Sequence, residues 1–81
     1  MEIIFDDKAI KDLKKLSKNI TKQIIDKIEN LSKFPNTPNI KKLTNFYPPY
    51  RLKINDYRIL FDIEDNLITI YRIKHRKESY K

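Results

Sequence analysis

The stretch Tyr50-Arg51-Leu52-Lys53-Ile54-Asn55-Asp56-Tyr57-Arg58-Ile59-Leu60-Phe61-Asp62 decides the fold class. Tyr50, Leu52 and Ile54 fall on one side of an extended chain, and Arg51 and Lys53 on the other. This is the period of two of a half-buried strand. Asn55-Asp56 is a turn signal, because both side chains tolerate left-handed backbone and bond nearby amides. Tyr57, Ile59, Phe61 and Ile63 then alternate with Arg58, Leu60 and Asp62. Glu64-Asp65-Asn66 is a second turn. Residues 67–73 supply a third run, with Ile68 and Ile70 opposite Thr69 and Tyr71. Three strands joined by tight turns predict an antiparallel meander with one face buried and the other wet. Tyr57 and Tyr71 read as sheet packing.

Towards the N-terminus the period becomes helical. Glu2-Ile3-Ile4-Phe5 reads as a short strand, and Asp6 or Asp7 can cap a helix by accepting from first-turn amides. Ile10, Leu13 and Leu16 follow at helical spacing, with Lys11, Lys14, Lys15 and Lys18 on the outer side. Asn19 is the expected break and second cap. Ile20, Ile24, Ile25, Ile28 and Leu31 form another stripe. Both stripes read as core, and the two helices as a hairpin. Phe34-Pro35-Asn36-Thr37-Pro38-Asn39 ends the second helix, since two prolines in four residues cannot continue it. Residues 34–49 read as a connection with little regular structure, with a short turn at Lys41, Lys42 and Leu43. The expectation is an α+β fold: an N-terminal strand, then a two-helix hairpin packed on an antiparallel β-sheet meander. Residues 1–81 form a single domain in this reading.

Composition bounds the chemistry. The chain has 81 residues, 40% apolar and 36% charged, enough for one thin core. It has no cysteine and one histidine, which leaves no thiolate cluster and no histidine cluster for a metal. It has no glycine, so neither a P-loop nor a dinucleotide fingerprint can be built. The apolar runs are too short to span a membrane, and the N-terminus lacks the basic and apolar regions of a signal peptide. A cytoplasmic location is the expectation. Net charge is +7. Residues 1–40 carry eight lysines against six acidic residues, and residues 41–81 carry ten basic against five acidic. All four arginines, Arg51, Arg58, Arg72 and Arg76, lie in the second half. Arginine is the planar, bidentate reader of phosphate, so this half is expected to face a polyanion. The competing reading is a merely solvated surface shaped by a codon bias towards lysine, isoleucine and asparagine.

Arg51 and Lys53 share the wet face of the first central strand. The hairpin brings Arg58 close to them. The tail His75-Arg76-Lys77-Glu78-Ser79-Tyr80-Lys81 returns towards the sheet. Cleavage of a phosphodiester by a ribose 2′-hydroxyl needs a base, charge stabilisation at phosphorus and help for the leaving oxygen. Cations can supply the second role unaided, and a tyrosine can stack on a base. On spacing alone, a basic β-face more often binds anions without catalysis.

Residues 50–62 and the segment Tyr71-Arg72-Ile73-Lys74-His75-Arg76-Lys77-Glu78-Ser79-Tyr80 together resemble the RelE/ParE toxin superfamily. The shared pattern covers about half of the chain, and the strand–helix–helix start is similar too. The resemblance implies a toxin of a type II toxin–antitoxin system. Its RelE branch implies an endoribonuclease that cuts mRNA in the ribosomal A site with no metal and no cofactor. By position, Lys53 matches the general base, Arg58 the arginine on the pentavalent phosphate and Arg76 the leaving-group residue. Tyr80 matches the C-terminal tyrosine that orients the nucleotide. Arg51 would hold phosphate, while Arg72 and His75 would be supporting contacts to RNA. Arg51 replaces a lysine, and the Arg76–Tyr80 interval is short for the branch. The implied partners are a cognate RelB-like antitoxin, the ribosome and mRNA, with no membrane. Two alternatives stay open: a ParE-like inhibitor of DNA gyrase without nuclease activity, and a basic module that only binds RNA.

Overall fold

The computed structural model describes residues 2–33 and 39–79. The chain forms β1 (Glu2–Phe5), α1 (Asp7–Lys14), α2 (Lys18–Glu29) and a 3-10 turn (Asn30–Lys33). It continues through β2 (Ile40–Lys42), β3 (Tyr50–Ile54), β4 (Tyr57–Glu64), β5 (Leu67–His75) and one helical turn, α3 (Arg76–Ser79). No helix among the described residues is long and apolar enough to cross a membrane.

The five strands make one sheet in the order β1-β5-β4-β3-β2. The antiparallel meander is present and is larger than expected. Lys41 and Lys42 form a strand rather than a turn: β2 pairs with β3, Ile40 opposite Leu52 and Lys42 opposite Tyr50. The sheet is mixed, because β1 lies parallel to β5, Ile3 opposite Ile68 and Phe5 opposite Ile70. A three-stranded meander would leave β5 as an open edge; β1 supplies its missing partner. With no glycine in the chain, asparagine and aspartate take the left-handed positions. Asn39, Asn45, Asn55 and Asp65 have φ of 66°, 63°, 51° and 55°.

The helices start on side-chain caps. The Asp6 carboxylate accepts from the Lys8 amide at 3.0 Å, and the Ser17 hydroxyl accepts from the Ile20 amide at 3.2 Å. The second cap is therefore Ser17, and Asn19 lies inside α2. Ala9 is fully buried and Leu13 and Leu16 pack on the core, while Ile10 is exposed. The stripe of α1 is thus Ala9-Leu13-Leu16, spaced four and three apart, and Ile10 stands about 100° off it. Small Ala9 lets α1 lie close to β5. In α2, Ile24 and Ile28 are buried, joined by Leu31 from the 3-10 turn. These residues cover Leu52, Ile54, Ile59, Phe61, Ile68, Ile70 and Ile73 of the sheet. The helices occupy one face only, so Arg51, Lys53, Arg58 and Asp62, which alternate with core residues, lie on the other.

Candidate functional site

Strand register builds the cationic site. Lys53 of β3 stands opposite Arg58 of β4, and Arg58 stands opposite Lys74 of β5. Three cations thus cross three adjacent strands side by side, and among the described residues no carboxylate pairs with any of them. Like charges directly opposite destabilise a sheet, so this row opposes folding unless an anion sits on it. Lys74 was not singled out by the sequence pattern. A strict alternation from Ile68 and Ile70 assigns position 74 to the buried face. The structure escapes this parity through a bulge: Leu60 pairs with Arg72 and Phe61 with Ile70, which leaves Tyr71 as an extra residue. Ile73 then turns into the core and Lys74 faces Arg58.

The Asn55-Asp56 turn gathers two more groups at the end of this row. Arg58 donates through Nη1 to the Asn55 and Tyr57 carbonyls at 3.0 and 2.9 Å. The Arg76 amide donates to the Asp56 carbonyl at 2.6 Å, and its Nε lies 3.6 Å from Asp56 Oδ1. Arg58 and Arg76 are therefore tethered to adjacent residues of one turn. A groove of about 390 Å³ is lined by Lys53 and Asn55 on one side and by Gln23, Asp26 and Lys27 of α2 on the other.

Arg51 lies two residues from Lys53 on the same face. Its Nη1 donates to the Pro48 carbonyl at 3.2 Å, and its guanidinium sits 5.8 Å from the Phe46 ring centre. Burial pulls its pKa below the ordinary arginine value.

Arg72 and His75 sit elsewhere. Arg72 clasps Asp12 of α1 with two bonds, Nε to Oδ2 at 2.8 Å and Nη2 to Oδ1 at 3.1 Å. Oδ2 also accepts from the Ile73 amide at 2.9 Å. Partial burial works to raise the Asp12 pKa. The bonds from Arg72 and Ile73, aided by nearby positive charge, overcome it and hold the carboxyl below its usual range. The fork of Arg72 is thus engaged in fastening α1 to β5. His75 pairs with Tyr57 across β4 and β5, and the rings meet edge to face at 5.4 Å. Tyr57 packs against the core, which puts His75 on the helix side of the sheet, away from Lys74. Its Nδ1 accepts from the Lys77 amide at 3.3 Å. Tyr80 lies outside the described residues.

A sequence profile of the ParE toxin of type II parDE toxin–antitoxin systems matches residues 3–80. The chain belongs to the RelE/ParE toxin superfamily. This toxin is 30% identical to Toxin RelE3 of Methanocaldococcus jannaschii, over 99% of this chain and 96% of the relative. Its fold matches a chain of the RelB–RelE antitoxin–toxin complex from Methanococcus jannaschii, with a TM-score of 0.76, 29% identity and coverage of 95% and 94% of the two chains. A chain of the RelBE2 toxin–antitoxin complex from Mycobacterium tuberculosis matches with a TM-score of 0.77, 26% identity and coverage of 93% and 96%. The toxin is accordingly a RelE-like member of the type II class, and its cation row lies on the sheet face that the helices leave open.

Proposed function

We propose that this toxin is a RelE-type endoribonuclease that cuts mRNA on the ribosome. The observation that carries the reading is the uncompensated row Lys53–Arg58–Lys74, with Arg76 tethered to the turn beside it. In this reading the amine of Lys53, in its unprotonated form, takes the proton of a ribose 2′-hydroxyl. The oxygen attacks the adjacent phosphorus, the bond to the 5′-oxygen breaks, and a 2′,3′-cyclic phosphate remains. Arg58 and Arg51 neutralise the charge that builds on the phosphoryl oxygens. Arg76, oriented by Asp56, stabilises the leaving 5′-oxygen, which takes a proton from water. Tyr80 orients the nucleotide. Arg72, engaged by Asp12, and His75, on the far face, have structural roles. The scheme uses no metal. The likeness to chains of RelB–RelE complexes supports an antitoxin of RelB type as the protein partner, and an acidic segment suits a surface of this charge.

The test is cleavage of a defined mRNA on programmed ribosomes with chelator present. Wild type should cut in the A-site codon and leave a cyclic phosphate end. Lys53→Ala and Arg76→Ala should each slow the cut by about 100-fold or more while the fold survives. Intact mRNA together with stalled supercoiling by DNA gyrase would overturn the reading in favour of the ParE-like activity.

A further inference from the structure

The loop between β2 and β3 carries two large apolar side chains in water. Phe46 is 61% exposed and Tyr47 is 70% exposed, above the other exposed large hydrophobics of the described residues, Ile4 and Ile10. The loop is not loose. The Leu43 amide donates to the Pro49 carbonyl at 2.8 Å and closes its base. Arg51 bonds the Pro48 carbonyl and so ties the loop to β3. The Tyr47 hydroxyl meets the Tyr71 hydroxyl at 3.0 Å and ties the tip to β5. The two tyrosine rings lie edge to face, 5.7 Å apart. Alternation from Ile68 and Ile70 puts Tyr71 on the open face with Thr69, and there its ring packs against Tyr47. Three tethers hold apolar rings out of the core, an arrangement that ordinary folding gains nothing from and that a waiting partner exploits.

The surrounding charge selects the partner. Residues 30–55 contain no aspartate or glutamate, and Arg51 links the Phe46 ring to the strand that carries Lys53. A positive track lined by stacking rings is the general form of a surface for single-stranded nucleic acid. The Tyr47 pKa is pushed up to about 12, chiefly by its hydrogen bond with the Tyr71 hydroxyl and to a smaller extent by Asp62. Resting on the nuclease reading, we propose that Phe46, Tyr47 and Tyr71 form a stacking subsite for an unpaired nucleobase of the RNA strand whose backbone lies along Arg51, Lys53, Arg58 and Lys74.

Binding of a short unstructured RNA, followed by quenching of tyrosine fluorescence and by anisotropy, tests this without requiring cleavage. The double variant F46A/Y47A should bind roughly tenfold or more weakly. Its salt dependence should stay that of wild type, because no cation is removed. Single abasic nucleotides placed in turn along the RNA should include one that weakens wild type and leaves F46A/Y47A unchanged. Phe46→Trp should restore binding lost in Phe46→Ala. Wild-type affinity in F46A/Y47A, or abasic sites that weaken both proteins equally, would overturn the proposal. So would a loss confined to antitoxin binding, which would make the patch a protein anchor. Failure of the nuclease reading shows separately, as intact mRNA from a wild type that still binds RNA through these rings.

Discussion

Asp12 and Arg72 are 60 positions apart in the chain, and their contact joins the first helix to the last strand. Asp12 lies three residues after Ala9 on the helix side that faces β5. There it satisfies both the fork of Arg72 and the amide of Ile73, which lies past Ile70, the last residue that β1 pairs. Asp12→Ala is expected to cost about 2–3 kcal/mol, since it strips a charged group of its bonds and orphans a backbone donor. Urea unfolding of the variant measures this. Asp12→Asn also removes a titration. The Asp12 pKa is lower folded than unfolded, so its contribution is complete above the unfolded value and is lost as pH falls through the folded one. Wild-type stability should therefore decline below about pH 4 more steeply than that of Asp12→Asn. Equal acid slopes in the two proteins would show that Asp12 does not carry this linkage.

At the scale of the element, β5 does two jobs with one irregularity. Before the bulge it alternates to place Ile68 and Ile70 in the core. After the bulge it places Ile73 in the core and Lys74 in the cation row. Three like charges abreast are a feature that sheet stability alone disfavours, so loss of one should strengthen the fold and weaken anion binding together. Lys74→Thr is expected to raise stability by about 0.2–1 kcal/mol, because it relieves repulsion with a residue that suits a strand. The same change should lower the slope of log affinity for RNA against log salt by about one. Thermal unfolding and a salt titration read the two effects. An unaltered slope would mean that Lys74 touches no phosphate. The pairing of opposite effects separates a binding residue from a packing residue, whose removal lowers both.

For the whole molecule the arrangement is one covered face and one open face. Eighty-one residues make a thin core, so stability is small in absolute terms, on the order of 4–12 kcal/mol. Phe61 is completely buried at the centre of the sheet and stacks on Tyr50 at 5.4 Å. Phe61→Ala is expected to cost about 3–5 kcal/mol, a large part of that total. Circular dichroism should show it substantially unfolded at moderate temperature, with RNA binding lost along with the fold. F46A/Y47A, on the open face, should melt close to wild type. A similar melting loss in both would mean that the loop rings are part of the core.

Local chemistry alone determined much of this protein. Alternation placed Leu52, Ile54, Ile59 and Phe61 on one face and Arg51, Lys53 and Arg58 on the other, because side chains on a strand have no third direction. Helical spacing marked Ile24 and Ile28 as core, and the Asn55-Asp56 signal marked the turn to which Arg58 and Arg76 are tied. What followed from contacts distant in the chain was not legible there. The pairing of β1 with β5 depends on a partner more than sixty residues away. Lys41 and Lys42 extend only because β3 offers them an edge. The roles of Arg72, His75 and Lys74 depend on a bulge and on the carboxylate of Asp12. A single extra residue reverses the facing of every side chain after it, and no local period records that reversal.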